Sequence, residues 1–157
     1  MRCEVSSFGG ARVINDAYNA SPAAMRSALE LLREDNAPGR KIVVCGDMRE
    51  LGAESRRLHL RTGDDVVTLC GADVLVACGE HAEDVVEGAT SAGMPKQRAI
   101  ACRSTEEVRP VLARIVGPGD VVLLKGSRAV GLERLVSGSF PRLASVGAAS
   151  GGFARAA

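Results

Sequence analysis

Short, wholly apolar runs recur along this chain at intervals that leave room for one helix between each pair. That rhythm restricts the fold more than any other feature. Lys41-Ile42-Val43-Val44-Cys45, Val74-Leu75-Val76-Ala77 and the run 120–124 are too short for buried helices and show no polar alternation, the pattern of strands covered on both faces. Ala99-Ile100-Ala101 is a weaker run of the same kind. Between them lie segments with helical spacing. The first carries Met25, Ala28, Leu29, Leu31 and Leu32, opens at Ser21-Pro22 and stops before Pro38-Gly39. Others cover about 54–70 and 80–92. A further helix opens at Ser104, with Glu107 in capping-box position, and a last one is expected over about 130–136. At the start, 2–6 and 12–15 flank Gly9-Gly10 and read as a hairpin or strand pair. Strands alternating with helices imply right-handed crossovers. The expected fold is α/β: a Rossmann-like, mainly parallel sheet with helices on both faces and an N-terminal strand pair.

Bulk properties narrow the possibilities. A chain of 157 residues suits one domain, and its core must be aliphatic, with no Trp, one Tyr and three Phe. A net charge of +1 gives no reason to expect a nucleic acid or an acidic membrane as partner. No apolar run approaches the roughly 18 residues of a membrane span. Met1-Arg2-Cys3-Glu4 lacks a signal-peptide core. Five cysteines without close pairs read as reduced, mostly buried thiols of a cytoplasmic protein, and no Cys/His spacing supports a zinc site. The folded domain is expected over 1–140. Residues 141–157, ending in a stretch of Gly, Ala and Ser with one Phe and one Arg, are expected to be a disordered tail.

Three polar motifs each follow an apolar run directly, and ligands of open α/β sheets bind at the carboxyl ends of the strands. In Asn15-Asp16-Ala17-Tyr18-Asn19-Ala20-Ser21-Pro22, Asp16 offers a carboxylate for a ribose hydroxyl or a metal-bound water. Asn19 offers an amide suited to a purine edge, and Tyr18 a ring that can stack on a base. The alternative is that Asp16 and Asn19 only hydrogen-bond the turn. In Gly46-Asp47-Met48-Arg49-Glu50-Leu51-Gly52, Asp47 and Glu50 place two carboxylates on one loop, able to orient an ammonium or a hydrated magnesium ion. Alternatively, Asp47 caps local amides and Glu50 is solvated. In Lys125-Gly126-Ser127-Arg128 a guanidinium and an ammonium suit a carboxylate or phosphate, with a helix N-terminus behind them, unless the loop is a solvated basic turn. It lacks the glycines of a P-loop. His59, amid Arg56, Arg57 and Arg61, reads as a structural or surface histidine, and His81 as exposed. Cys45 is the one cysteine near the ligand edge, and nothing else supports a Cys/His nucleophile.

Taken in order, these motifs resemble the carboxyl-terminal domain of the Mur ligases, nearest the branch that adds D-alanyl-D-alanine. Asp16, Tyr18, Asn19, Ala20, Pro22 and Met25 match the first family pattern; Gly46, Asp47, Met48, Glu50, Leu51, Gly52 and His59 the second; Gly119, Asp120, Val122, Leu123, Lys125, Gly126, Ser127 and Arg128 the third. Asn15 and Ser21 depart from the usual aspartate and asparagine. The resemblance implies a module of an ATP- and Mg2+-dependent ligase of peptidoglycan synthesis. In such an enzyme the carboxylate of UDP-N-acetylmuramoyl-tripeptide becomes an acyl phosphate, and the amine of D-alanyl-D-alanine attacks it. It further implies that Asp16, Tyr18, Asn19 and Asp47 approach the nucleotide and that Lys125, Ser127 and Arg128 lie near the dipeptide. Glu50 and His59 are further candidates. No catalytic residue or metal ligand is expected in this chain alone. ATP and magnesium belong mainly to a central ATPase domain which, like the amino-terminal domain, this sequence does not contain, so the chain by itself is expected to be inactive. A module of another ligase of this superfamily, or a non-catalytic binding module, would carry similar loops.

Overall fold

The computed structural model describes residues 4–137; the expected tail at 141–157, and Cys3, lie outside the described residues. The strand pair comes first, β1 (Glu4–Phe8) and β2 (Ala11–Asp16), antiparallel about Gly9 and Gly10, both with positive φ (56° and 81°) as a two-residue hairpin of this hand requires. Alternation follows: α1 (Pro22–Arg33), β3 (Lys41–Gly46), α2 (Ser55–Thr68), β4 (Val74–Cys78), α3 (Ala82–Ser91), β5 (Ala99–Cys102), α4 (Thr105–Ile115), β6 (Val121–Lys125) and a four-residue α5 (Arg134–Ser137). The sheet order is β1-β2-β6-β3-β4-β5, and every pair after the first is parallel.

Adjacent residues of the apolar strands serve opposite faces. Val43, Cys45, Leu75, Ala77, Val121 and Leu123 pack with α1, α2 and α3. Ile42, Val44, Val74, Val76, Val122 and Leu124 pack with α4 and α5. This explains why these runs show no polar alternation, and each Val, Leu or Ile among them contributes about 1.5–3 kcal/mol by burial. Helices α2 and α3 approach until their backbones touch. A Cβ on Gly63 would lie 1.9 Å from the Val85 carbonyl oxygen, and one on Gly88 1.9 Å from that of Leu60.

The expected architecture is present, with local corrections. Ser104 caps α4 through its backbone conformation, but its hydroxyl makes no cap bond, and Glu107 accepts the Arg103 amide at 2.8 Å instead of completing the capping box. The helix expected over about 130–136 is a short helical turn at Arg128–Val130, stopped by Gly131 in the left-handed conformation (φ 74°), and then α5. A three-residue turn has too few aligned peptides to give the basic loop the dipole field expected of it.

At the opposite, amino end of the strands Asp120 anchors the start of β6. It is 5% exposed and accepts from the amides of Arg40 and Gly117, both at 2.9 Å, and from Arg40 Nη2 at 2.8 Å. Desolvation pushes its pKa up, but the Arg40 side chain and the two amides outweigh it, so the carboxyl titrates below the ordinary Asp range. The native state therefore favours the ionised form. That stabilisation is complete above the unfolded pKa and is lost as pH falls through the lower native one. Asp120→Asn puts an NH2 group against donors; it is expected to cost about 2 kcal/mol near neutral pH and progressively less below about pH 4, read by urea unfolding at both.

Candidate functional site

The three motif loops leave three neighbouring parallel strands. Register sets Asp16 on β2 opposite Lys125 on β6, and Lys125 opposite Cys45 on β3, so the chain exits at 17–20, 126–128 and 46–52 stand side by side. The helices that follow β2 and β3 cover one face, and the segment that follows β6 covers the other. The loops thus diverge around an opening at the carboxyl edge, the switch point at which open α/β sheets take ligands.

Lys125 ties two of the loops. Its Nζ lies 2.8 Å from Asp16 Oδ2 and donates to the carbonyls of Asn19 (2.7 Å) and Asp16 (3.3 Å), and the residue is 3% exposed. The turn backbone around Asn19 is therefore curled onto an ammonium, while the exposed Asn19 side chain is left to solvent. Asn15 Oδ1 accepts the Ala17 amide at 3.2 Å, so the Asx turn belongs to Asn15. Tyr18 is 71% exposed, and the Arg128 guanidinium sits over its ring, 5.7 Å from the centroid, a second link between the same loops.

The third loop is attached by its backbone. The Ser127 amide donates to the Asp47 carbonyl at 3.2 Å. A Cβ on Gly126 would stand 3.0 Å from the Gly46 Cα, so the two loops meet main chain to main chain. The Asp47 side chain turns towards the start of α3. Its Oδ2 accepts the Glu80 amide (2.8 Å) and its Oδ1 the His81 amide (3.0 Å). Gly79 is required for this, because a Cβ there would lie 2.4 Å from Asp47 Oδ2. Holding Glu80 and His81 in this way also delays α3 until Ala82, beyond its expected start.

Glu50 is exposed and adopts a left-handed backbone (φ 61°), which displays its carboxylate at the loop tip. His59 is buried (1% exposed). His81, expected to be exposed, is half-buried and stacked on it, ring centroids 4.3 Å apart and 14° from parallel. Burial pushes the Cys45 thiol up to about 12, with Asp47 adding to it, so it supplies no nucleophile near neutral pH.

The structure therefore divides the candidates. Lys125, Asp47 and His59 have internal partners. Tyr18, Asn19, Arg128 and Glu50 remain on the outside, with Asp16 part-buried between the two sets and Ser127 buried beneath Arg128. Sequence reasoning missed the internal task of Lys125, and for Asp47 it allowed amide capping but placed the amides locally rather than at Glu80 and His81. Strand order, with β6 set beside β2, brings the partners of Lys125 within reach, whereas those of Asp47 follow β4, the neighbour of β3.

The chain has known relatives. A family profile described as Mur ligase, glutamate ligase domain, matches residues 1–128. The UDP-N-acetylmuramoyl-tripeptide–D-alanyl-D-alanine ligase of Bacillus subtilis is 32% identical over 137 residues, covering 87% of this chain and 30% of that protein. The ligase of the same name from Treponema pallidum is 35% identical over 120 residues, covering 76% and 26%. Among solved structures, MurF from Acinetobacter baumannii superposes with a TM-score of 0.73 at 31% identity, over 87% of this chain and 29% of that one. MurF from Thermotoga maritima in complex with ADP gives 0.69 at 32% identity, over 87% and 29%. The chain thus spans about three tenths of the length of these relatives.

Removing the Lys125 ammonium leaves Asp16 and two carbonyls without their partner. Lys125→Met is expected to destabilise the fold by about 3 kcal/mol. Asp16→Asn is expected to cost less in that background than in the wild type, with a coupling of about 1–2 kcal/mol in a denaturant-unfolding cycle.

Proposed function

This chain belongs to the Mur ligase family, and from that membership we propose that it is the closing, third domain of an ATP-dependent ligase that joins D-alanyl-D-alanine to UDP-N-acetylmuramoyl-tripeptide. The observation that carries the reading is the convergence of the three motif loops on one rim, where exposed groups suited to two different ligands stand beside each other.

The 17–20 turn fits the nucleoside part of ATP. The Tyr18 ring is open to stacking, and the Asn19 amide can both donate and accept at a purine edge. Asp16 has one oxygen paired with Lys125 and, among the described residues, none on the other, which suits a ribose hydroxyl. Asp47 contributes through position: by clamping the start of α3 it fixes the second loop against the first. A triphosphate needs a cradle of amides and cations that this rim does not provide, and it is assigned to the central domain of such a ligase. Magnesium is assigned with the triphosphate to the central domain.

Arg128 is the group for the dipeptide carboxylate. It is exposed, lies next to the nucleotide turn, and its planar guanidinium can grip a carboxylate through two parallel hydrogen bonds. Ser127, directly before it, adds a hydroxyl, while Lys125 supports the loop from beneath. ATP supplies the activation of the tripeptide carboxylate. The task of this domain is then to orient the amine donor and, by closing, to keep water from the activated acyl group.

Two outcomes test this. The isolated chain, given ATP, magnesium, tripeptide substrate and D-alanyl-D-alanine, is expected to release no phosphate above background; sustained turnover would overturn the division of labour. In the assembled ligase, Arg128→Ala is expected to raise the dipeptide KM about 10- to 100-fold, the worth of a charge-assisted pair, with the ATP KM nearly unchanged. An unchanged dipeptide KM in a normally folded variant would remove Arg128 from that site.

A further inference from the structure

His59 is less exposed than any other buried polar or charged residue described, and nothing so far gives it a task in the reaction. Beside a longer contact of Nδ1 with Ser55 Oγ (3.4 Å), its ring makes two short hydrogen bonds of opposite sense. The Met48 amide donates to Nε2 at 3.0 Å, and Nδ1 donates to the Ser55 carbonyl at 2.6 Å. An amide has only a proton to offer and a carbonyl only lone pairs. The ring proton therefore sits on Nδ1, and the imidazole is neutral. One face of the ring lies on His81, whose Nε2 is 2.9 Å from Ser55 Oγ and whose Nδ1 is 2.8 Å from Asp84 Oδ2. Every element packed against this pair brings a charged group. The 46–52 loop brings Asp47, whose carboxylate already holds the His81 amide; α2 brings Arg56; α3 brings Asp84, 3.3 Å from Arg56.

We propose that His59 is a positioning residue for the 46–52 loop: neutral and stacked on His81, it anchors Met48 and with it the flanking Asp47 and Glu50, and a proton on Nε2 releases them. A protonated ring has two donors, one of which would point at the Met48 N–H. Met48 is itself buried (3% exposed), so its amide has no solvent to turn to. Loss of this bond frees the residue next to Asp47, which ties the loop to α3, and loosens the left-handed turn at Glu50. Burial is the largest influence on the His59 proton affinity and lowers it below the ordinary imidazole range; the bond to Ser55 opposes this, and His81 adds to it. Because the folded state resists the proton, the anchor is fully in place above about pH 6.5 and weakens as pH falls toward the lower native value.

The consequence for catalysis rests on the ligase reading above, whereas the anchoring does not, so the two can fail separately. In the full chain at about pH 7.5, 15N NMR is expected to show the Nδ1–H tautomer of His59 and a slowly exchanging Met48 amide. At about pH 5 the Met48 exchange rate, corrected for its intrinsic pH dependence, is expected to rise about tenfold while amides of β3 and β6 stay protected. His59→Gln, whose side-chain oxygen reaches the place of Nε2, should keep Met48 protected at both pH values. His59→Asn, which reaches only the place of Nδ1, should lose protection at both. An Nε2–H tautomer, pH-independent exchange of Met48, or equal protection in the two variants would overturn the anchor. Should either variant fail to fold, the wild-type tautomer and exchange profile still decide. In the assembled ligase His59→Gln is expected to move the acid limb of kcat/KM to lower pH. An unmoved limb beside intact NMR results would overturn the catalytic consequence alone, and absence of dipeptide-dependent turnover in the wild type would instead sink the ligase reading.

Discussion

A lysine ammonium held inside the protein must be paired where it stands, since leaving it bare would cost several kcal/mol. Lys125 meets that demand with one carboxylate and two carbonyls drawn from a loop more than a hundred residues away in sequence. Much of the rim follows from this pairing. The 17–20 turn curls back because the Asn19 carbonyl meets the same ammonium as Asp16 at the end of β2. Tyr18 and Asn19 are exposed, and the Asn19 carbonyl faces inward. Arg128, three residues beyond Lys125, comes to rest over Tyr18 because both chain ends are already fixed. The sheet register makes the pairing possible, by setting Asp16 and Lys125 opposite each other at the last rung of the β2–β6 ladder.

Charge on the rim is sorted into two populations. Asp47 and Lys125, which the motifs make conspicuous, work internally: one clamps the amides that precede α3, the other gathers the first loop. The outward groups, Arg128, Tyr18, Asn19 and Glu50, hang from anchored backbone, so that only side-chain freedom is left to give up when a ligand arrives. This is how a rigid scaffold lowers the entropic cost of binding. It also explains how motifs with so much charge can coexist with a net charge near zero and an aliphatic core.

The fold was legible because its signals are local. Apolar runs such as 42–45 and 121–124, too short for helices, are the pattern of strands covered on both sides, and Ser21-Pro22 marks a helix start; Ser21 Oγ accepts the Ala24 amide as expected. The order of strands was not legible, because the return of β6 between β2 and β3 is set by long-range packing. That order decides which candidate residues meet. From the sequence, Lys125 and Arg128 look alike, two cations three residues apart. In the structure the alternation of the last strand sends one inward, and Gly126 lets the chain pass Gly46 so that the other emerges. The last helix was expected in one piece over about 130–136, but Val130, Leu132, Leu135 and Val136 pack against the sheet face from two short helical pieces broken at Gly131.

His59 shows how a residue conspicuous in a motif can serve as structure, one of the two roles its sequence context allowed. A histidine several residues past an acidic loop invites a chemical role, and one flanked by arginines on a helix invites a surface role. Its actual surroundings fit the structural reading: the ring is buried and both nitrogens have partners inside the protein. A ring with a proton on one nitrogen and a lone pair on the other is well suited to join a carbonyl on one element to an amide on another, and few side chains could replace it there without leaving one group unpaired. A buried lysine binds the first loop to the third, and a buried neutral histidine binds the second to the helix behind it. The rim is therefore built from oppositely designed anchors, one that keeps its charge by pairing and one that works only while uncharged.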